Sequence, residues 1–274
     1  MTSTPIIDSH CHYNLDPFYL NWKQHWQTAQ AAGVIGAVVV GTDLESSRKA
    51  CDIAAQEPRL VAAVGLHPST FTAQSEQVSP EILLRMLDEL RQSGPVSALG
   101  ETGLDYFRLT GSTSELEKIK HVQKTAFTAH LVVAADQKLP VLVHVRDQGE
   151  AAYADVLELI KPYANSFPII LHCFSGPDWY LDKALEFGCY ISFAGNITYP
   201  TAAVLRTHCK KVPPQQLLVE TDAPFLPPQA HRGQTCEPRF IVETVQYLRD
   251  ELGISPSELV NTARSIFTTI PANI

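Results

Sequence analysis

"PVLVHVRDQGEAAYADVLELIKPYANSFPIILHCF", residues 140–174, contains a strand, a helix and a second strand in succession. "PVLVHVR" and "PIILHCF" are short, nearly continuous apolar runs, the pattern of parallel strands covered on both faces. Between them, "GEAAYADVLELIKPYA" is longer and carries helical period. The unit recurs along the whole chain. "PIIDSH", "GAVVVGT", "LVAAVGLH" and "VSALGETG" precede it, and "CYISFAG" and "LLVETD" follow, making eight strand segments. Helical segments separate them, and two more, "EPRFIVETVQYLRDELG" and "SPSELVNTARSIF", follow the eighth. Gly33, Gly94 and Gly188 stand where helices end, and Ser79-Pro80 and Ser255-Pro256 where they begin. Eight strands, each followed by a helix, predict an α/β fold of the (β/α)8 TIM-barrel type, one domain over residues 1–274. An open doubly wound sheet shows a similar alternation, but eight units without another insertion favour closure. The main irregular stretch is the Pro-rich segment 224–238.

The composition narrows the class. Hydrophobic residues make up 45% and charged residues 18%, enough for a large core, and the formal charge is −8. That balance argues against a broad basic face gripping nucleic acid, although bound cations can supply positive charge locally. Cysteines 11, 51, 173, 189, 209 and 236 form no C-x-x-C pair and read as free thiols in a reducing compartment. The N-terminal segment lacks a basic region followed by an apolar run, and no apolar stretch is long enough to span a bilayer. A cytoplasmic protein is the expectation, with no membrane contact and no obligate protein partner evident.

Barrel enzymes work at the C-terminal ends of their strands. In "IIDSHCHYNLD", residues 6–16, alternation points His10 and His12 the same way, half of a site for a divalent cation. Alone, that pair is a weak signal. Other strand ends add His67 in "GLHP", Glu101 in "GETGLDY", His144 in "VHVRD", His172 in "LHCFSG" and Asp222 in "ETDAP". Satisfied histidines and surface acids explain any one of these; the joint pattern points to a metal site. Asp8 and Glu220, each two residues before a candidate ligand, and Asp105 are expected to hold imidazoles or water from behind. Cys11 and Cys173 are expected on the outer face, and Trp22 and Trp26 in helix packing.

These motifs, in this order, resemble the TatD-like metal-dependent hydrolases of the amidohydrolase superfamily, from Ile7 to about Phe267. The resemblance implies a TIM barrel with a mono- or dinuclear divalent-metal centre that hydrolyses phosphodiesters of DNA. Carried over residue by residue, His10, His12 and Asp222 hold the first metal, Glu101 bridges, and His144 and His172 hold the second. A bridging carboxylate lets two cations clamp the attacking and leaving oxygens together. Asp222 and Glu101 are thus the expected catalytic carboxylates, with Asp222 orienting water or accepting its proton. His67 looks like the substrate-side histidine. Arg146 is expected either on a phosphate or in a salt bridge with Asp105. Mixed imidazole and carboxylate donors suit Zn, Mn, Fe or Co better than Mg, yet the family is described as using magnesium, so two divalent ions are expected with Zn, Mg and Mn all open. "HRGQTCEPRF" places Cys236 where the family usually has Asn, in a loop expected to shape the mouth and hence specificity. The leading function is a deoxyribonuclease acting on single strands or ends. The alternatives are an aminoacyl-tRNA deacylase or another ester or amide hydrolase on the same site, and a non-catalytic scaffold.

Overall fold

The computed structural model describes residues 5–271, and its eight strands run parallel in the order β1 to β8. The strands are β1 Ile6–Cys11, β2 Val34–Val40, β3 Leu60–Val64, β4 Val96–Asp105, β5 Val141–Arg146, β6 Ile169–Leu171, β7 Tyr190–Phe193 and β8 Leu217–Val219. Helices α1 Trp22–Ala32, α2 Leu44–Gln56, α3 Pro80–Leu90, α4 Thr113–Gln137, α5 Ala151–Ile160, α6 Asp178–Glu186 and α7 Ala203–Lys211 alternate with them. Helices α8 Ile241–Leu252 and α9 Pro256–Ile266 complete the chain. The result is a nearly closed (β/α)8 barrel, as the alternation predicts. No helix among the described residues is long and apolar enough to cross a membrane.

Two apolar layers hold it together. Outward-facing residues such as Val39, Val64, Val143 and Ile191 pack under the helices. Inside, Ile7, Val38, Leu142 and Leu218 pack against Ala263, Ile266, Phe267 and Ile270. Ile270 lies against Gly36, and Ser97 shares a 2.8 Å hydrogen bond with Thr269, so α9 and its tail seal the pole where the strands begin. The opposite pole is left as the mouth.

The seam between β8 and β1 is closed by residues beside the candidate ligands. Asp222 N donates to His10 O and His12 N to Ala223 O, both at 2.9 Å. One step deeper, Ser9 Oγ donates to Val219 O at 2.9 Å. The buried Asp8 carboxylate accepts from Thr221 N at 3.0 Å, Thr221 Oγ1 at 2.6 Å and His10 N at 3.2 Å. Asp8 therefore fastens backbone across the seam and does not hold an imidazole as expected.

The reason is a local slip in register. β1 advances three residues, Asp8 to Cys11, while β2 advances two, Ala37 to Val39. Such a bulge reverses the alternation, so Ile7 faces the interior below and His10 and His12 face it above. β4 repeats the device: Leu99 to Thr102 pairs with Val141 to Val143, and Glu101 turns inward although Ala98 also does. Gly100, with φ of 133°, makes the second slip possible.

Two predictions concern this frame. A Cβ on Gly100 would stand 2.7 Å from Leu142 O, whereas Gly253, φ 74°, faces open space. Urea unfolding of Gly100→Ala should show a loss of about 2–4 kcal/mol, against about 1 kcal/mol for Gly253→Ala; equal losses would contradict the close approach of β4 and β5. Burial raises Asp8 from 3.8 to about 7 against the opposing pull of the Thr221 hydrogen bonds. A raised carboxyl contributes stability below its unfolded value, and that contribution is lost as pH rises through the folded one. Asp8→Asn should accordingly flatten the fall of the urea midpoint between about pH 4 and 7, and an unchanged slope would remove Asp8 from the account.

Candidate metal centre

Glu101 stands at the middle of the mouth, and its two oxygens face different groups. Oε2 lies 3.5 Å from His10 Nε2 and 3.9 Å from His12 Nε2. Asp222 Oδ1 completes that side, 3.4 Å from His12 Nε2 and 3.7 Å from His10 Nε2. Oε1 lies 2.7 Å from His172 Nε2, 2.9 Å from His144 Nδ1 and 3.3 Å from His67 Nε2. The six expected ligands therefore converge, with His67 beside them.

Which ring nitrogen faces inward is set by partners behind the rings. Val40 O accepts from His12 Nδ1 at 2.8 Å, which leaves the Nε2 lone pair toward Glu101 and Asp222. Asp105 Oδ2, 3.2 Å from His144 Nε2, and Glu220 Oε1, 3.3 Å from His172 Nδ1, do the same for those rings. Asp105 and Glu220 thus hold imidazoles, as expected. His10 Nδ1 and Glu220 Oε2 are buried without a hydrogen-bond partner among the described residues, a donor and an acceptor left over in one cluster. His67 is oriented oppositely. Ser69 N donates to its Nδ1 at 3.1 Å, so Nε2 carries the proton and His67 enters the site as a donor.

The charges are coupled. Burial opposes ionisation of Glu101, yet His172 and His67 hold its carboxyl well below the usual range. Asp222 is lowered likewise, burial being outweighed by the His12 hydrogen bond and the charge of His10. Burial disfavours charged His172, but Glu101 and Glu220 push it well above the ordinary value. His12 and His144 are raised, against burial, by Asp222 and by Asp105 with Glu101 respectively. Burial and then the His172 charge lower His10.

Ligands about 2.1 Å from a cation are separated from one another by about 3.0–3.5 Å. The 3.3 Å between His10 Nε2 and His12 Nε2, the 3.5 Å from His10 to Glu101 and the 3.4 Å from His12 to Asp222 match such edges, while the crossed pairs, at 3.7 and 3.9 Å, are somewhat wider. Two imidazole lone pairs facing two carboxylates suit a divalent cation, so the residues present fit the metal chemistry.

Two expectations change here. Arg146 does not pair with Asp105; its exposed guanidinium lies over the Phe107 ring at 4.1 Å. Cys173 is not packed on the outer face. β6 ends at Leu171, Cys173 takes φ 44°, and its half-buried thiol is pushed up by burial and then by Asp222 and Glu220. Cys11 and Trp26, by contrast, pack in the outer core as read. Sequence reasoning missed the aromatic rings at the mouth, above all Phe225, whose ring centroid lies 6.1 Å from that of His12.

The profile of the family described as TatD related DNase matches residues 7–270. The chain belongs to that family. The TatD-related chain is 35% identical over 236 residues to an uncharacterized metal-dependent hydrolase TatD of Mycobacterium tuberculosis, covering 85% of this chain and 84% of that protein. It is 32% identical over 244 residues to the 3'-5' ssDNA/RNA exonuclease TatD of Yersinia pseudotuberculosis, covering 85% and 88%. The crystal structure of YJJV, a TatD homolog from Escherichia coli, superposes with a TM-score of 0.80 at 29% identity, over 96% of this chain and 98% of that one. With these relatives and this centre, the chain is a metal-dependent hydrolase. Its departure at Cys236 does not reach the mouth surface: the thiol is buried with Phe18, Ala223 and Phe240 beneath the loop.

Raised imidazoles make cation uptake by this TatD-related chain compete with protons, because a ligand must lose its proton to bind. Affinity should climb with pH by about tenfold per pH unit for each proton released. Calorimetric titration with Zn²⁺ or Mn²⁺ in buffers of different ionisation heat checks this, and binding without proton release would contradict the protonation pattern.

Proposed function

We propose that the chain hydrolyses phosphodiester bonds of DNA, in single strands or at frayed ends, at a two-cation centre. His10, His12 and Asp222 would hold one divalent ion and His144 and His172 the other, with Glu101 shared between the two sets and Zn, Mg and Mn the candidate ions. The division of Glu101's oxygens between two donor groups is the observation that carries this reading. Cations bound there polarise the phosphate and make water more acidic.

The chain's own groups perform the rest. Asp222, ionised and at the mouth edge, orients the attacking water and accepts its proton. As the water oxygen bonds to phosphorus, the bond to the leaving sugar oxygen breaks and that oxygen takes up a proton. His67 Nε2–H donates to a phosphate oxygen, and the Arg146 fork engages a neighbouring phosphate. A duplex cannot lower its backbone to Glu101, which is 3% exposed, so an unpaired strand fits better. The exonuclease name of the Yersinia relative is in keeping with this substrate class.

Metal-loaded protein should release nucleotides from an end-labelled single-stranded oligonucleotide and far less from the matching duplex. Asp222→Asn should lower the rate by about 10²–10⁴-fold, and chelation should abolish it. Equal rates for wild type and Asp222→Asn, or turnover of an aminoacyl-tRNA ester in place of the oligonucleotide, would overturn the assignment.

A further inference from the structure

Large exposed apolar side chains are not spread evenly over this barrel. Among the described residues Leu20, Leu44, Ile82, Trp179, Val204 and Phe225 all lie in segments leaving the strand ends at the mouth, or in the first turn of the helix that follows. Val132, within α4, is the exception. Phe225 is the one of these whose ring adjoins a candidate ligand. It is 53% exposed, and its ring sits edge-on to His12 at 75°.

The turn that carries this ring is held in place. Phe225 N donates to Asp222 O at 2.8 Å, and Ala223, Cys236, Phe240 and Phe18 pack into a small apolar cluster under the turn. The phenyl thus stands beside the His12 imidazole with about half of its surface open to solvent. In the ring order, the β8–β1 seam lies opposite β4 and β5. Arg146, stacked on Phe107, rises from that opposite wall, with Glu101 between the two. A chain of nucleotides reaching from one wall to the other crosses the centre.

The geometry points to Phe225 as a base-stacking residue: its exposed face takes the nucleobase adjoining the scissile phosphate. This rests on the nuclease reading above and deepens it, because a base in an unpaired strand is free to leave its neighbours and lie flat on Phe225, whereas a base inside a duplex is not. Selectivity for unpaired strands then follows from an aromatic contact as well as from the narrow mouth.

The test compares wild type, Phe225→Ala and Phe225→Trp, all metal-loaded, on a single-stranded oligonucleotide and on the same strand with a tetrahydrofuran abasic residue at the cleaved end. Wild type should lose about 5- to 100-fold in kcat/KM on the abasic strand. Phe225→Ala should lose as much on the normal strand and be indifferent to the missing base, whereas Phe225→Trp should retain both activity and discrimination. As a second measurement, 2-aminopurine at the terminal position of a phosphorothioate strand should be quenched by wild type and not by Phe225→Ala. Wild-type cleavage that ignores the base, or an equal loss for Phe225→Ala on both strands, overturns the stacking role alone. Failure of wild type to cut any oligonucleotide overturns the nuclease reading and this role with it.

Discussion

The joining of β8 back to β1 is the constraint on which the rest depends. Two backbone hydrogen bonds, Asp222 N to His10 O and His12 N to Ala223 O, tie Asp222 to two candidate ligands that lie more than two hundred residues before it in the chain. Below them Asp8 and Thr221 add a buried polar clasp. The contacts that close the cylinder also set the spacing of the donor atoms. A rigid scaffold reduces the reorganisation needed when a cation or a developing charge arrives.

Two irregularities aim the ligands. A regular β1 or β4 would carry its interior alternation upward without interruption and turn His10, His12 or Glu101 toward the helices. One extra residue in each strand corrects this, so the apolar interior and the polar mouth can be built from the same strands. Partners behind the rings then select the nitrogen that faces inward. They are a backbone carbonyl for His12 and carboxylates for His144 and His172. His67, with its proton directed into the site, is distinguished from the other histidines by the contacts of Ser69 N and Oγ with its Nδ1.

Much of this was legible in the sequence. The eight apolar runs and the histidines and acids at their ends indicate a barrel and its working pole, because strand period and strand termini leave direct marks on residue type. The bulges were not legible: a slip of register has no residue signature beyond Gly100. Asp8 was consequently misread, since counting back two positions from His10 assumes a regular strand. Cys173 was misread for the same reason, because its left-handed backbone breaks the alternation. The Val40 carbonyl behind His12 could not be inferred, since every residue has one. Phe225 lies in a quoted motif, but only the fold reveals that its ring is left uncovered beside His12.

The plug formed by α9 bears on how the chain matures. During synthesis from the N-terminus, His10, His12, Glu101 and His144 all emerge before Asp222, and the floor contributed by Phe267 and Ile270 follows it. A nascent fragment that ends before Asp222 therefore has neither a sealed interior nor the final carboxylate. Competence to hold ions waits until both have joined the cylinder.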